Sequence, residues 1–329
     1  MAGLGKRMRP HTLTTAKPLI PVAGKPVVER LVEDISKVCG EKINEIAFVI
    51  SPAFGKEVEN NLLSIAKNQD AKGSIWYQEE ALGTAHAIMC AEPVITGKTV
   101  VAFADTLFKA DFKMDTDNDG VIWVQKIENP SQFGVVKIDD QNFITDFIEK
   151  PKEFVSDLAI IGIYYFKDGG YLKSELRYLL DNNIMDKGEY QLTNALENMK
   201  QKGTKFVPGK VSEWLDCGNK AATVYTNQRI LEYDKNEKRL RGNGIIFENS
   251  VIIEPCFLGD NVKLTNSVVG PHVSIGLGST VENSVIRNSI IQKNSKLISV
   301  NIANSMIGNS AEITGKSEDF SVGDFTIIA

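Results

Sequence analysis

The chain has 329 residues, 43% of them hydrophobic and 24% charged, with a net charge of -5 at pH 7. That length favours two domains over one, and the composition is that of a folded soluble protein. The acidic balance excludes a surface that binds nucleic acid or membrane as a whole, although Lys6, Arg7, Arg9, Lys17, Lys25 and Arg30 crowd the opening stretch against Glu29 alone. A local cationic excess of this kind suits a polyphosphate ligand. Cys39, Cys90, Cys217 and Cys256 form no CxxC pair, which argues against zinc and for reduced thiols in the cytoplasm. No apolar run is long enough to span a membrane, and the N-terminus has no apolar signal core.

From Pro26 to about residue 218 helix and strand periods alternate. Pro26 suits a first helical position, with Val27, Val28, Leu31, Val32, Ile35 and Val38 following at helical spacing. Residues 46–50 form a continuous apolar run of the kind buried on both faces of a parallel sheet. A helix through Val58, Leu62, Leu63 and Ile65 comes next, then a strand over 74–78, a helix from near Gly83 and a strand over 99–103. This order predicts a Rossmann-like α/β domain with a mixed, mainly parallel sheet. Segments 121–124, 133–138, 143–148 and 160–166 follow with little helix between them, which adds a partly antiparallel edge.

After about residue 240 the chain breaks into pieces of five or six residues, each opening on an aliphatic residue. Leu258, Leu264, Val269, Ile275 and Val281 mark the beat, and Ile307 and Ile313 resume it. A period near six predicts a parallel β-helix of hexapeptide repeats. The boundaries implied are a catalytic domain over 1–225, a helical linker over 226–244 and the β-helix over 245–329.

The opening Gly3-Leu4-Gly5-Lys6-Arg7 segment is rich in chemistry. Gly3 and Gly5 let backbone N–H groups approach phosphate oxygens, Arg7 offers a planar fork and Lys17 a movable point charge. It is no Walker loop, because no Gly-Lys-Ser/Thr follows four spacers, and no dinucleotide fingerprint, because Met8 holds the third glycine's place. Asp105 follows the apolar strand 100–104, and Asp216 follows Trp214-Leu215, so each carboxylate stands at a strand end, where ligands of open α/β sheets gather. The three histidines, His11, His86 and His272, are far apart and suggest no triad.

The string GLGKRMRPHTLTTAKPLIPVAGKP closely resembles the N-terminal signature of the sugar-1-phosphate nucleotidyltransferases, the group that contains glucose-1-phosphate thymidylyltransferases. The resemblance continues in order along residues 1–225, with the left-handed β-helix as an appendage many members carry. It implies that Arg7 and Lys17 grip the triphosphate, and that residues 77–85 read the base. There Gln78 would meet a pyrimidine's amide edge, Gly83 would leave room for the ring and Thr84 would lie beside it. Asp105 and Asp216 would share one Mg²⁺ with phosphate oxygens. Gly134, Glu149, Lys150 and Gly162 would form the sugar-phosphate side. The partners implied are a nucleoside triphosphate, dTTP or UTP, and a sugar 1-phosphate, with no nucleic acid or membrane; a homo-oligomer built through the β-helix is the family expectation.

The sequence departs from the family pattern at Ala104 and Thr106 around the first aspartate, and at Cys217-Gly218-Asn219 after the second. A larger departure lies at the start. The family's buried first strand would end where Met1 stands, and its roughly five apolar residues represent about 8–15 kcal/mol of burial. The expectation is a native product that begins several residues upstream. Two other functions compete: a bifunctional enzyme whose β-helix also transfers an acyl group with His272 as base, and a catalytically silent sugar-nucleotide-binding scaffold.

Overall fold

The computed structural model describes residues 3, 5–110, 113–315 and 321–328. The strand and upstream start expected at Met1 lie outside the described residues. In chain order the elements are β1 (Pro21–Val22), β2 (Lys25–Pro26), α1 (Val27–Cys39), β3 (Glu45–Ile50), α2 (Gly55–Lys67), β4 (Lys72–Tyr77) and α3 (Thr84–Met89). Then come β5 (Thr99–Ala102), β6 (Thr106–Lys109), β7 (Gly120–Lys126), β8 (Gly134–Ile138), β9 (Ile144–Glu149) and β10 (Leu158–Phe166). The series continues with α4 (Gly169–Asp181), α5 (Leu192–Gln201), β11 (Phe206–Lys210), β12 (Glu213–Asp216) and α6 (Lys220–Asp234), and short solenoid strands follow.

The chain forms two compact units that are not linear stretches. Unit 1 holds residues 31–214, and unit 2 joins residues 4–30 to 215–329, so the signature segment belongs with the C-terminal part of the chain.

In unit 1 a six-stranded sheet runs in the order β11-β7-β10-β8-β9, with β5 also paired to β10. The sheet is mixed as expected, but its balance corrects the expectation of mainly parallel pairing. Only β7 with β11 is parallel, whereas β10 runs antiparallel to β5, β7 and β8, and β8 to β9. The physical reason is connectivity: no crossover helix separates β7 to β10, so β8 turns straight back into β9, and β10 returns between β7 and β8 against the direction of both. The parallel strands β3 and β4 pair as a separate two-stranded sheet. In β3 only Phe48 and Ile50 are buried, so that strand is not covered on both faces.

Helices α4 and α5 cover the sheet with stripes set by helical period: Leu172, Leu176 and Leu179 on one, Leu192, Ala195, Leu196 and Met199 on the other. They share a core with Ile122, Phe147, Phe166 and Phe206, where Phe206 meets Phe147 edge-on at 5.4 Å between ring centroids. Each fully buried leucine there contributes roughly 1.5–3 kcal/mol.

In unit 2 the solenoid is a parallel three-sided coil. Its ladders put Ile246 beside Lys263, then Thr280, Lys296, Glu312 and Ile327. Successive coils are therefore 17, 17, 16, 16 and 15 residues, short of the 18 that three strict hexapeptides require. Leu258, Leu264, Val269, Ile275, Val281, Ile307 and Ile313 all point into the buried core. The beat slips after Val281 because the earlier coils turn one corner through Glu254-Pro255 and Gly270-Pro271-His272, and the later coil turns it one residue sooner, at Asn288. The corners are left-handed and mostly filled by Asn, whose short polar side chain tolerates that region. Asn249 Nδ2 donates to Asn266 Oδ1 (2.9 Å), and Asn266 Nδ2 to Asn283 Oδ1 (3.2 Å), stacking one corner on the next. The serine after each Asn acts between coils as well, with Ser250 Oγ accepting from Ser267 N and Ser267 Oγ from Ser284 N, both at 3.1 Å.

Candidate active site

In unit 1 the β8–β9 hairpin sets Gly134 opposite Glu149. Asp139 closes its turn by accepting from the backbone N of Gln141 and Phe143. A side chain at Gly134 would place its Cβ 3.1 Å from Glu149 Oε2, so the bare glycine gives the carboxylate its place. Glu149 is largely buried, with a side chain 17% exposed, while Lys150 leaves the strand in a left-handed turn and holds its Nζ 3.3 Å from Glu149 Oε1. The phenol of Tyr164 is pushed far up from its ordinary value, first by burial and then by the negative charge of Glu149.

Two chains of contact tie this hairpin to the Asp105 turn. In the first, Tyr164 meets Phe103 edge-on at 5.6 Å, and Phe103 N donates to the carbonyl of Gly162, whose positive φ of 84 sits at a break in the β7–β10 register. In the second, Phe133 meets Trp214 edge-on at 4.8 Å, and Trp214 Nε1 donates to Thr106 Oγ1, which itself donates to Ile161 O. Asp105 is half-buried between β5 and β6. Thr106, a departure from the family pattern, thus holds this turn against β10.

Gln78 stands just past β4 and is buried, with Nε2 donating to Gly83 O (3.1 Å) and lying 3.0 Å from His86 Nδ1. Gly83, expected to leave room for a base, leaves room for backbone in this structure: its φ is 107, and a Cβ there would sit 2.5 Å from Tyr190 O and 2.7 Å from Tyr190 N. Thr84 Oγ1 accepts from Leu192 N (2.9 Å) and donates to Gln191 Oε1 (3.3 Å), so its hydroxyl fixes the start of α5. Thr193 then lies 3.6 Å from the Cβ position of Gly134, joining the base-side segment to the sugar-side hairpin. Residues 189–193 escape sequence reasoning, although a polar Glu-Tyr-Gln just before an amphipathic stretch is a signal that could have found them.

In unit 2, Arg7 is exposed on a 3-10 turn over Lys6–Met8 that is anchored by buried Met8. Gly5 has a φ of 57, and a Cβ there would lie 2.9 Å from Thr12 Cγ2 and 3.2 Å from Lys17 Cβ, so the glycine lets the two basic turns close on each other. Gly3, outside this unit, is exposed with open space about it. The segment is seated on a cluster of Met8, Ile20, Val224, Ile290 and Met306. His11 is buried with Nε2 3.2 Å from Ser321 Oγ on the last coil, and burial pushes its imidazole down to about 4, with Lys220 adding to the fall and Asp324 opposing it. Asp216 is half-buried; its Oδ1 accepts from Gly218 N (2.9 Å), and a Cβ at 218 would lie 2.9 Å from both carboxylate oxygens. Asn219 caps α6 by accepting from Ala222 N (3.0 Å). The Cys217-Gly218-Asn219 departure thus keeps the carboxylate loop and the helix cap.

Among the described residues no group of three or more His, Cys, Asp or Glu gathers as a metal site. Also among them, no helix is long and apolar enough to cross a membrane.

Residues 1–232 match the nucleotidyl transferase family. The chain is 31% identical to the low-salt glycan biosynthesis nucleotidyltransferase Agl11 of Haloferax volcanii, over 97% of this chain and 93% of that protein. It is 30% identical to the bifunctional protein GlmU of Methanococcus aeolicus, over 95% of this chain and 77% of that one. With a glucose-1-phosphate thymidylyltransferase of Streptomyces antibioticus it shares 28% identity, over 95% and 91% of the two chains. The family match spans the basic signature turns, both strand-end aspartates and the Gly134–Glu149 hairpin, and the chain belongs to the nucleotidyl transferase family.

Proposed function

We propose that this chain transfers a nucleotidyl group from a pyrimidine nucleoside triphosphate, dTTP or UTP, to a sugar 1-phosphate, with glucose 1-phosphate the first candidate. A phosphate oxygen of the sugar phosphate bonds to the α-phosphorus, the bond from that phosphorus to the bridging oxygen breaks, and pyrophosphate leaves. The observation that carries this reading is the doubly tied patch of Glu149, Gly134 and the Asp105 turn, because it links the hairpin of a candidate sugar-binding carboxylate to the turn of a candidate metal-binding one. The relative named for glucose-1-phosphate thymidylyl transfer, matched over 95% of the chain, supports the choice of substrates.

Arg7 and Lys17 would hold the triphosphate by charge and direct hydrogen bonds, and Lys150 would meet the sugar phosphate. Gln78 would read the base edge after exchanging its Gly83 and His86 partners for it. Asp105 and Asp216 suit Mg²⁺ as hard oxygen donors, with phosphate and water completing the shell. Mg²⁺ bound there would neutralise charge on the phosphates. Catalysis then consists of positioning and charge stabilisation, with no protein nucleophile.

Acyl transfer by the solenoid has weaker support, because His272 Nε2 lies 2.6 Å from Glu232 Oε1 and serves to seat α6. The test is pyrophosphate release across a panel of triphosphates and sugar 1-phosphates with Mg²⁺, with acetyl-CoA turnover assayed in parallel. Turnover with dTTP or UTP that stops on chelation is the expected result; no pyrophosphate with any pair would defeat the reading.

A further inference from the structure

We infer that Asn227 is a positioning residue through which the solenoid sets the conformation of the triphosphate-gripping segment, an inference that rests on the function proposed above. Asn227 is fully buried on α6. Its Oδ1 accepts from Ala23 N (2.9 Å) and from Ser274 Oγ (2.6 Å), and its Nδ2 donates to His272 O (3.3 Å). One amide thus joins the signature segment to the second coil of the solenoid.

The atom it holds on the signature side is not an ordinary one. Ala23 and Gly24 both have positive φ, 46 and 81, as a tight two-residue turn between β1 and β2 demands, and alanine adopts that region only when its surroundings impose it. The surroundings do so from both sides. Asn227 takes the Ala23 N–H, while the Ala23 carbonyl accepts from Arg30 Nη2 (2.9 Å) and Arg239 Nη1 (3.1 Å). Both guanidinium groups also meet Asp234. From this turn the restraint passes back along the chain: Val27 N donates to Ile20 O, and Ile20 N to Lys17 O, both at 3.2 Å. A change at Asn227 therefore reaches the Lys17 backbone through three hydrogen bonds and the short stretch of chain from Ala23 to Val27, without touching any residue of the sugar-side hairpin.

An apolar side chain would fill the same space without needing three partners, and a fully satisfied buried amide is the device that fixes one arrangement among several. The solenoid is, on this inference, a working part of the triphosphate site and more than an appendage.

The test compares wild type with Asn227→Leu and Ser274→Ala in the full chain. Expected for Asn227→Leu is a rise of about 10-fold or more in KM for the triphosphate, with KM for the sugar phosphate changed less than 2-fold, and faster amide exchange in a peptide covering residues 17–26. Ser274→Ala, which removes only the solenoid-side hydroxyl, is expected to shift the same parameter in the same direction by roughly 2- to 5-fold, and it carries the test should Asn227→Leu fail to fold. Equal shifts in both KM values, or an unchanged triphosphate KM with folding intact, overturn the inference. An inactive wild type would instead defeat the function proposed above, and the exchange measurement would still decide whether the solenoid holds the segment, with unchanged protection over residues 17–26 overturning it.

Discussion

Glu149 places its carboxylate over Gly134, with Oε2 at 3.1 Å from where a β-carbon at 134 would stand. The hairpin therefore aims this acid by withholding a side chain from its neighbour. Gly134→Ala should push the carboxylate by a few tenths of an ångström and raise KM for the sugar phosphate about 10-fold, equivalent to about 1.4 kcal/mol. The melting temperature should change by only a few degrees, since the displaced group is the end of a flexible chain. Steady-state kinetics alongside thermal melts check this; an unchanged KM would remove Glu149 from sugar binding.

Asp105 stands on a turn that Thr106 and Phe103 hold against β10, so its removal should leave the fold intact. Asp105→Ala is expected to lower kcat at least about 10²-fold with substrate binding partly retained, as when an electrostatic stabiliser is lost. Near-normal turnover at saturating Mg²⁺ would take Asp105 out of the mechanism.

Gly83 offers a different prediction, one of stability. Its φ of 107 and ψ of 179 lie in a region open essentially to glycine alone, and a β-carbon would meet the Tyr190 backbone at 2.5 Å. Gly83→Ala should cost about 2–4 kcal/mol through strain and overpacking. Urea denaturation reads this directly, and a variant as stable as wild type would show that the segment can shift to accept the methyl group.

His11 gives the protein a pH response of known sign. Burial lowers its folded-state value from 6.5 to about 4, so the folded protein holds a neutral imidazole in a range where the unfolded chain takes up a proton. The stability it contributes is complete above pH 6.5 and is lost as pH falls through that range towards 4, at up to about 1.4 kcal/mol per pH unit. Denaturation of wild type and His11→Gln at pH 6.5, 5.5 and 4.5 should show a flatter dependence for the variant. Parallel curves would mean the imidazole is protonated in place.

The element series of unit 1 was legible as far as residue 166 because burial imposes periods on sequence. Leu62 and Ile65 fall on the buried face of α2 at helical spacing, and the inward aliphatics of the solenoid repeat once per face, whereas the stripes of α4 and α5 carry the same period and went unread. The coil length was less legible, since a corner can gain or lose a residue without disturbing the inward positions, as Gly270-Pro271-His272 and Asn288 show. The Asn-Ser pairs at 249, 266 and 283 were the better marker, because left-handed corners and inter-coil serine bonds recur with the coil itself. Within the site, Asp105 could be picked out as a carboxylate at a strand end, and Gly134 and Glu149 through the resemblance, whereas the Tyr164 and Trp214 links between them could not.

Sequence by itself determined the family and the order of elements as far as residue 166, and it named candidate residues for phosphate and sugar, because glycine, cation and carboxylate spacing is local information. Tertiary structure alone decided that residues 4–30 fold with α6 and the solenoid, that Gly83 yields to Tyr190, and that one buried amide at 227 meets both Ala23 and Ser274. Those outcomes depend on which distant groups satisfy buried hydrogen bonds and fill space, and partners 47 or 204 residues apart leave no periodic trace in the chain.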